Sequence, residues 1–216
     1  LTPIRLSAER MRKRFLENHP ELPQIIEKGT ATIIEEVDSL MNIIGEFSRF
    51  ARLPETKLEP GDLNLKISNC TDFFNAHENV HFHLSLDENL PSMMFDKTLI
   101  RQVMINLFQN AIDSMGGAGN IWIKTSFDRE KMLVRISIKD DGAGIREEDL
   151  PKIFDPTFSS KEHGTGLGLA IVEKIVFEHK GRIRCNSRPH QGAEFIIELP
   201  VLVKEDSDGK VSCGLN

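Results

Sequence analysis

A heptad repeat is the feature that most restricts how this chain of 216 residues folds. Between Pro23 and Arg52, apolar or small side chains recur at alternating steps of four and three residues, at Ile26, Thr30, Ile33, Val37, Leu40, Ile44, Phe47 and Ala51. This pattern predicts a long helix whose seam packs against another helix. A shorter apolar pattern upstream ends at Asn18-His-Pro20 and predicts a helical hairpin over residues 1–53. One hairpin leaves the seam exposed, so we expect a homodimer whose N-terminal helices form a four-helix bundle.

The second half of the chain has a mixed pattern of helices and strands. Two prolines and a glycine predict a linker or hinge at 54–61, followed by a domain at 62–202 and a flexible polar tail at 203–216. Within the domain, helices are predicted at 65–77, 96–115 and 167–180, and strands at 80–86, 120–127, 132–140, 182–187 and 192–199. This order predicts an α+β fold with helices on one face of a mixed sheet.

Charge and cysteine content exclude several classes of function. The net charge of -6 argues against direct binding of nucleic acid. No apolar run reaches the roughly 20 residues that span a bilayer, so we expect a soluble fragment, and the polar first residues show no secretory signal. Cys70, Cys185 and Cys213 are odd in number and lack metal-binding spacing, so we expect free thiols in a reducing compartment.

Asp140-Asp-Gly-Ala-Gly-Ile145 directly follows an apolar strand. Gly142 and Gly144 allow a tight turn and a close approach of the backbone to a ligand. A buried Asp140 can accept a hydrogen bond from an exocyclic amine such as that of adenine. A plain Asp-Gly turn explains the motif equally well.

Gly164-Thr-Gly-Leu-Gly168 opens a predicted helix, with Leu169 next in the chain. Glycines at alternate positions expose successive backbone N–H groups, and the helix N-terminus adds partial positive charge, which predicts a phosphate cradle. The spacing differs from the common phosphate-binding and dinucleotide-binding motifs. A flexible loop that caps a helix is the alternative.

Asn106 and Asn110 lie four residues apart on one face of the longest predicted helix of the second domain. Asparagine is a mediocre helix former, so two on one face suggest a function. The amide oxygen of Asn110 can complete a Mg²⁺ shell made mostly of phosphate and water oxygens. A solvated polar face is the alternative.

In this order the motifs resemble those of the Bergerat-fold (GHKL, HATPase) superfamily of ATPases and kinases, which includes DNA gyrase and sensor histidine kinases. Phe154-Asp-Pro-Thr-Phe158 and Gly192-Ala-Glu-Phe195 extend the resemblance over roughly residues 63–199. The resemblance implies that Asp140 contacts adenine, Asn110 ligates Mg²⁺ and a mobile lid over about 146–163 closes on ATP. It places further contacts at Asn106, Gly142, Gly144, Ile145, Phe154, Lys161, Gly164, Thr165, Gly166, Leu167, Gly168 and Leu169.

Position 106 separates kinases from hydrolytic ATPases in this superfamily. Hydrolytic relatives carry a Glu there as a general base, and an amide takes up no proton at neutral pH. We therefore expect phosphoryl transfer, with Asn106 and Lys161 as the catalytic positions and Lys161 close to the terminal phosphates. A solvated lysine is the alternative for Lys161. Asp113 departs from relatives that place a basic residue there. The alternatives are a Bergerat-fold ATPase and a non-enzymatic nucleotide-binding dimerisation module.

Residues 1–11 resemble the stretch after the phosphoacceptor box of nitrogen-regulation sensor histidine kinases of the NtrY type, and Phe47-Ser-Arg-Phe-Ala-Arg52 resembles the end of their second dimerisation helix. The resemblance implies transfer of the ATP γ-phosphoryl group to a His and then to an Asp of a response regulator, a nitrogen-regulation-type transcriptional activator. It also implies that this is the cytoplasmic portion of a kinase anchored in a bacterial inner membrane. None of the seven His residues has an H-E-x-x-N context, so we expect the acceptor upstream and no autophosphorylation by this chain.

Overall fold

The structure is a computed structural model, and it describes residues 2–51, 55–74, 79–159 and 164–202. The chain divides into two compact units, Leu1–Leu53 and Pro54–Asn216. Among the described residues, no helix is long and apolar enough to cross a membrane. Cys70 and Cys185 are both unpaired thiols, and Cys213 lies outside the described residues.

The first unit is a helical hairpin. Helix α1 spans Thr2–Leu16 and helix α2 spans Leu22–Ala51. The turn between them includes Asn18 in the left-handed conformation, and Pro23 lies in the first turn of α2, where its missing N–H has no helical partner to lose. A Cβ on Gly29 would lie 2.8 Å from Met11 Sδ, so this glycine allows the two helices to approach closely.

Much of the predicted seam remains on the surface of this hairpin. Val37, Ile44 and Phe47 are between 44% and 60% exposed. Ile34 and Met41, which lie beside the predicted seam, are also exposed, at 61% and 65%. An isolated hairpin therefore leaves a long apolar stripe in water, as the sequence predicted.

The second unit is built on a five-stranded mixed sheet, as predicted. Its strands are β2 (Val80–Ser85), β4 (Gly119–Asp128), β5 (Leu133–Asp140), β6 (Arg182–Ser187) and β7 (Ala193–Pro200). The order is β2-β4-β5-β7-β6, with β2 and β4 parallel and the other pairs antiparallel. Three helices pack with it: α3 (Leu63–Asp72), α4 (Lys97–Ser114) and α5 (Gly168–Glu178).

The core lies between the helices and one face of the sheet. Alternate residues of β4 and β5, including Ile121, Ile123, Ile136 and Ile138, are at most 1% exposed, as a sheet covered on one face requires. The α4 residues Val103, Met104, Leu107 and Phe108 are equally buried. Both α4 and α5 are thereby fixed on the same side of the sheet.

Three short elements were not predicted. Residues Glu59–Gly61, the last three of the predicted linker, form strand β1, which pairs with β3 (Met93–Phe95). A 3-10 helix covers Leu150–Lys152 inside the predicted lid. Helix α3 ends at Asp72, short of the predicted residue 77, and residues 75–78 lie outside the described part of the chain.

Candidate functional site

Asp140 is the last residue of β5 and is only 3% exposed. Its Oδ1 accepts hydrogen bonds from the backbone N–H of Gly142 at 2.9 Å, from Ser114 Oγ at 3.1 Å and from the backbone N–H of Ala193 at 3.3 Å. None of these bonds uses Oδ2. Burial raises the pKa of the Asp140 carboxyl above its ordinary value, and this effect exceeds the opposite effect of the three donors.

The loop after Asp140 packs so tightly that it needs its glycines. A Cβ on Gly142 would collide with Ser114, and a Cβ on Gly144, whose φ is +69°, would collide with the carbonyl oxygen of Arg188. A Cβ on Gly192 would collide with the carbonyl oxygen of Asp140 itself. Gly142 and Gly144 therefore fix the position of Asp140 through contacts within the protein.

Helix α4 connects the two ends of the candidate site. Asn106 Nδ2 donates to the carbonyl oxygen of Gly168 at 3.2 Å, while Ser114 binds Asp140 near the end of the helix. Asn106, Asn110 and Ser114 are spaced by four residues and share one helical face. The half-buried Asn110 thus lies between Gly168 and Asp140 along a face about 12 Å long.

Ser114 was not identified from the sequence, although its position four residues after Asn110 was a usable signal. Asp113, the departure noted above, points elsewhere on the helix surface and accepts a hydrogen bond from Gln109 Nε2 at 2.8 Å.

The glycine-rich segment forms a turn that leads into α5. Gly166 has a φ of +68°, and a Cβ there would lie within 2.7 Å of the Phe158 backbone nitrogen. Leu167 is buried at the helix start and supplies no side-chain cap, and its own N–H is 3.3 Å from Thr165 Oγ1. A Cβ on Gly168 would meet nothing within 4 Å, so the first residue of α5 borders open space.

The remaining predicted residues have fewer described contacts near the start of α5. Gly164 is exposed, and Leu169 and Phe154 are half-buried. The Ile145 backbone N–H donates to Ser187 Oγ at 2.9 Å, which anchors the start of the predicted lid. Lys161 lies outside the described residues.

Among the described residues, neither a metal-binding cluster nor the cavity beside the β6–β7 turn coincides with the group of Asn106, Asn110 and Asp140. Within the described residues, no group of three His, Cys, Asp or Glu side chains is placed to hold a metal. A cavity of about 490 Å³ lies beside the β6–β7 turn, and its lining includes Lys139, Arg188 and Glu194 but neither Asn110 nor Asp140. We therefore identify the candidate nucleotide site from side-chain geometry.

The family profile described as histidine kinase-, DNA gyrase B- and HSP90-like ATPase matches residues 95–203, which include α4, the Asp140 loop and the glycine-rich turn. The chain belongs to this family. Within the family, its second unit is a catalytic domain of the sensor histidine kinase type.

This assignment rests on relatives and solved structures alike. The chain is 33% identical to the nitrogen regulation protein NtrY of Azorhizobium caulinodans, over 88% of this chain and 25% of NtrY. It is 34% identical to a putative NtrY-like sensor histidine kinase of Rickettsia bellii, over 98% of this chain and 36% of that protein. The chain thus spans about a quarter to a third of the length of these relatives.

Two solved structures show the same fold. The catalytic domain of the histidine kinase ThkA is 37% identical, with a TM-score of 0.61 over 68% of this chain and 97% of that domain. Full-length ShkA in complex with AMPPNP is 25% identical, with a TM-score of 0.71 over 94% of this chain and 46% of that one.

Proposed function

We propose that this chain binds MgATP between Asp140 and the start of α5 and that it is the ATP-binding portion of a histidine kinase. The observation that carries the proposal is the α4 face of Asn106, Asn110 and Ser114, tied at one end to the glycine-rich turn and at the other to Asp140. Its length of about 12 Å suits an extended adenine nucleotide.

Each residue has a defined part in this arrangement. Asp140 accepts the adenine amine through Oδ2, because its Oδ1 is occupied by three protein donors. The uncapped N-terminus of α5 and the Gly164–Gly168 backbone bind the phosphates. Asn110 is the protein ligand for Mg²⁺, and the neutral amide fits a cation held mainly by phosphate and water oxygens. When bound, Mg²⁺ neutralises phosphate charge.

The same geometry favours phosphoryl transfer over hydrolysis. Asn106 has no basic atom, and its amide N–H group is engaged by the carbonyl of Gly168. We infer that Asn106 positions the start of α5, while Lys161 neutralises the terminal phosphate and the segment around Phe154 closes over the nucleotide.

We further propose that the γ-phosphoryl group passes to a His and then to an Asp of a response regulator. The structure of the histidine kinase ThkA in complex with the response regulator TrrA matches this chain at 30% sequence identity. This match supports a response regulator as the partner. The likeness to the nitrogen regulation protein NtrY supports a nitrogen-regulation-type regulator. The exposed apolar stripe of α2 supports a homodimer through α1 and α2. We infer that the chain is the cytoplasmic portion of a membrane-anchored kinase.

Calorimetry with AMPPNP, with Mg²⁺ or with EDTA, tests the nucleotide site. We expect saturable binding that weakens about tenfold or more when Mg²⁺ is removed or Asn110 is changed to Ala, because Asn110 would hold the Mg²⁺ that neutralises phosphate charge. A chain that ignores AMPPNP would contradict the proposal. Steady-state release of phosphate from ATP at an ordinary ATPase rate would instead identify a hydrolase.

A further inference from the structure

Within the described part of the second unit, one face of the sheet carries no helix, and it is here called the open face. Residues in register across all five strands show its character: His83, Trp122, Lys139, Glu194 and Asn186 form one row. Trp122 is 40% exposed and stacks on His83, with ring centroids 5.4 Å apart. The face is polar, as expected for a solvated side of a sheet, but its charges are unevenly distributed.

Three arginines surround one carboxylate at the opposite end of this face. Arg135 Nη2 is 2.8 Å from Glu198 Oε1, Arg182 Nε is 2.9 Å from Oε2, and Arg184 Nη1 is 3.5 Å from Oε1. Arg135 and Arg182 both lie directly opposite Glu198 on the strands that flank β7. The Glu198 side chain is only 7% exposed, whereas those of the arginines are 51%, 74% and 50% exposed for Arg184, Arg182 and Arg135.

The arginine cluster, meaning Arg135, Arg182 and Arg184 around Glu198, brings three cations to one carboxylate among the residues that the structure describes. Its surroundings make this unusual, because the whole chain has a net charge of -6. A cross-strand ion pair needs one arginine for one carboxylate, and protection of the edge strand β6 needs charge on β6 alone. Neither requirement alone places three arginines around one carboxylate, and like charges held close together repel.

The geometry of the cluster restricts what it can bind. Glu198 occupies the centre, so the guanidinium groups direct N–H donors inward to its oxygens and keep their outer edges in solvent. A single small anion cannot take the central position. A ligand with several separate carboxylates can instead contact the outer edges of the guanidinium groups. These edges present N–H donors in a planar arrangement that suits a carboxylate.

We propose that the open face docks an acidic protein segment, with several Asp or Glu side chains on the outer edges of the arginine cluster. Charge complementarity supports this occupant. A bilayer is disfavoured because Trp122 lies flat against His83, with 17° between the ring planes, and because Glu194 and Glu198 face the same side. This proposal is independent of nucleotide binding.

A decaglutamate peptide is a suitable probe, titrated calorimetrically into the full chain at low salt. We expect saturable binding that weakens as salt is added. The double variant Arg182→Gln/Arg184→Gln should bind about tenfold more weakly, because it loses two charge-assisted contacts. Gln keeps a donor for Glu198, and a thermal melt checks that the variant remains folded.

The matched control is Lys97→Gln/Arg101→Gln, which removes two exposed cations of α4, the helix that packs on the other face of the sheet. It should bind the peptide as the unmodified chain does. Absence of peptide binding, or equal weakening in both double variants, would overturn the proposal. Binding of phosphatidylglycerol vesicles or inorganic phosphate through Arg182 and Arg184, without peptide binding, would also overturn it and identify a membrane or small-anion site.

Discussion

At the scale of single residues, the burial that suits Asp140 to its proposed contact with adenine also makes its ionised form unfavourable in the folded state. Its pKa is raised by burial, so the folded state holds this proton more tightly than the unfolded chain does. As pH rises from the ordinary Asp value, about 3.9, through the raised pKa of the folded state, ionisation of this group lowers the free energy of unfolding.

Asp140→Asn should therefore keep or raise the melting temperature at pH 7 while weakening AMPPNP binding by about 10–100-fold. The amide removes a buried charge, and its oxygen still accepts from the donors on Oδ1, but an NH₂ group then faces the adenine amine. Thermal melts and calorimetry at pH 7 measure the two effects. A variant that lost stability and kept its affinity would contradict this role.

Replacing each of two glycines of the candidate site by alanine should change the free energy of unfolding in different directions. Gly144→Ala should lower the free energy of unfolding by about 2–4 kcal/mol, since its φ is +69° and its Cβ would strike the Arg188 carbonyl. Gly168→Ala should be neutral or stabilise by up to about 1 kcal/mol, because the added Cβ meets nothing and alanine favours helix.

Nucleotide affinity distinguishes these glycines further. A methyl group on Gly168 would enter the open space assigned to phosphate, so Gly168→Ala should weaken AMPPNP binding although the protein stays stable. Urea denaturation and calorimetry test the pair. Unchanged affinity in Gly168→Ala would argue against a phosphate contact at this position.

At the scale of elements, the start of α4 depends on Asp96. Asp96 Oδ1 accepts from the backbone N–H groups of Thr98 and Leu99, and Oδ2 accepts from that of Lys57. The Asp96 N–H donates to Nε2 of the buried His179 at the end of α5. One residue therefore joins the chain before β1, helix α4 and helix α5.

Asp96→Ala should reduce the free energy of unfolding at pH 7 by about 2 kcal/mol, from loss of the N-cap and of the Lys57 contact. Burial alone would raise the pKa of Asp96, but backbone N–H groups of Leu99, Lys57 and Thr98 outweigh it and lower the pKa. This stabilisation is present above the ordinary Asp pKa and disappears as pH falls through the lowered value. Urea denaturation at pH 7 and at acidic pH should show that the difference in free energy of unfolding between Asp96→Ala and the unmodified chain shrinks as pH falls. A difference that stays constant with pH would contradict this role of Asp96.

The elements also show which features the sequence could predict. The predicted ends of α4 agree with the structure to within about one residue, because Asp96 is a strong N-cap and the apolar pattern extends over many residues. Strands β1 and β3 were missed because three residues are too few for a period-2 pattern. Asn106, Asn110 and Asp140 were predicted from motifs, and Gly192 belongs to a further motif of the resemblance. The contacts that Ser114 and Gly192 make with Asp140 join separate elements, so they became visible only in the fold.

At the scale of the whole molecule, the exposed apolar stripe on α2 predicts self-association. Ile34, Val37, Met41 and Ile44 follow steps of three and four residues and are 44% to 65% exposed. Burying such side chains against a second copy stabilises the assembly by about 25 cal/mol per Å² of apolar surface.

The double variant Val37→Asp/Ile44→Asp should shift the chain from dimer to monomer in sedimentation, because a charge in a helical seam is costly unless paired. Lys28→Asp, at an exposed position on another face of α2, should leave the dimer intact. A monomeric unmodified chain would refute the predicted bundle. Nucleotide affinity of the second unit should be similar in all three proteins.

Ser114, Asn110 and Asn106 follow one another along a single face of α4. We therefore expect binding affinity to fall stepwise as the nucleotide is shortened. In the proposed site, adenosine would engage only the Ser114 end, ADP would add part of the glycine-rich turn, and ATP alone would reach as far as Asn106 and Gly168. Each added phosphate should thus increase affinity, and the Mg²⁺ dependence should be absent for adenosine. Because α4 is one continuous helix, a displacement of α4 would change the contacts at the adenine end and at the phosphate end of the nucleotide together.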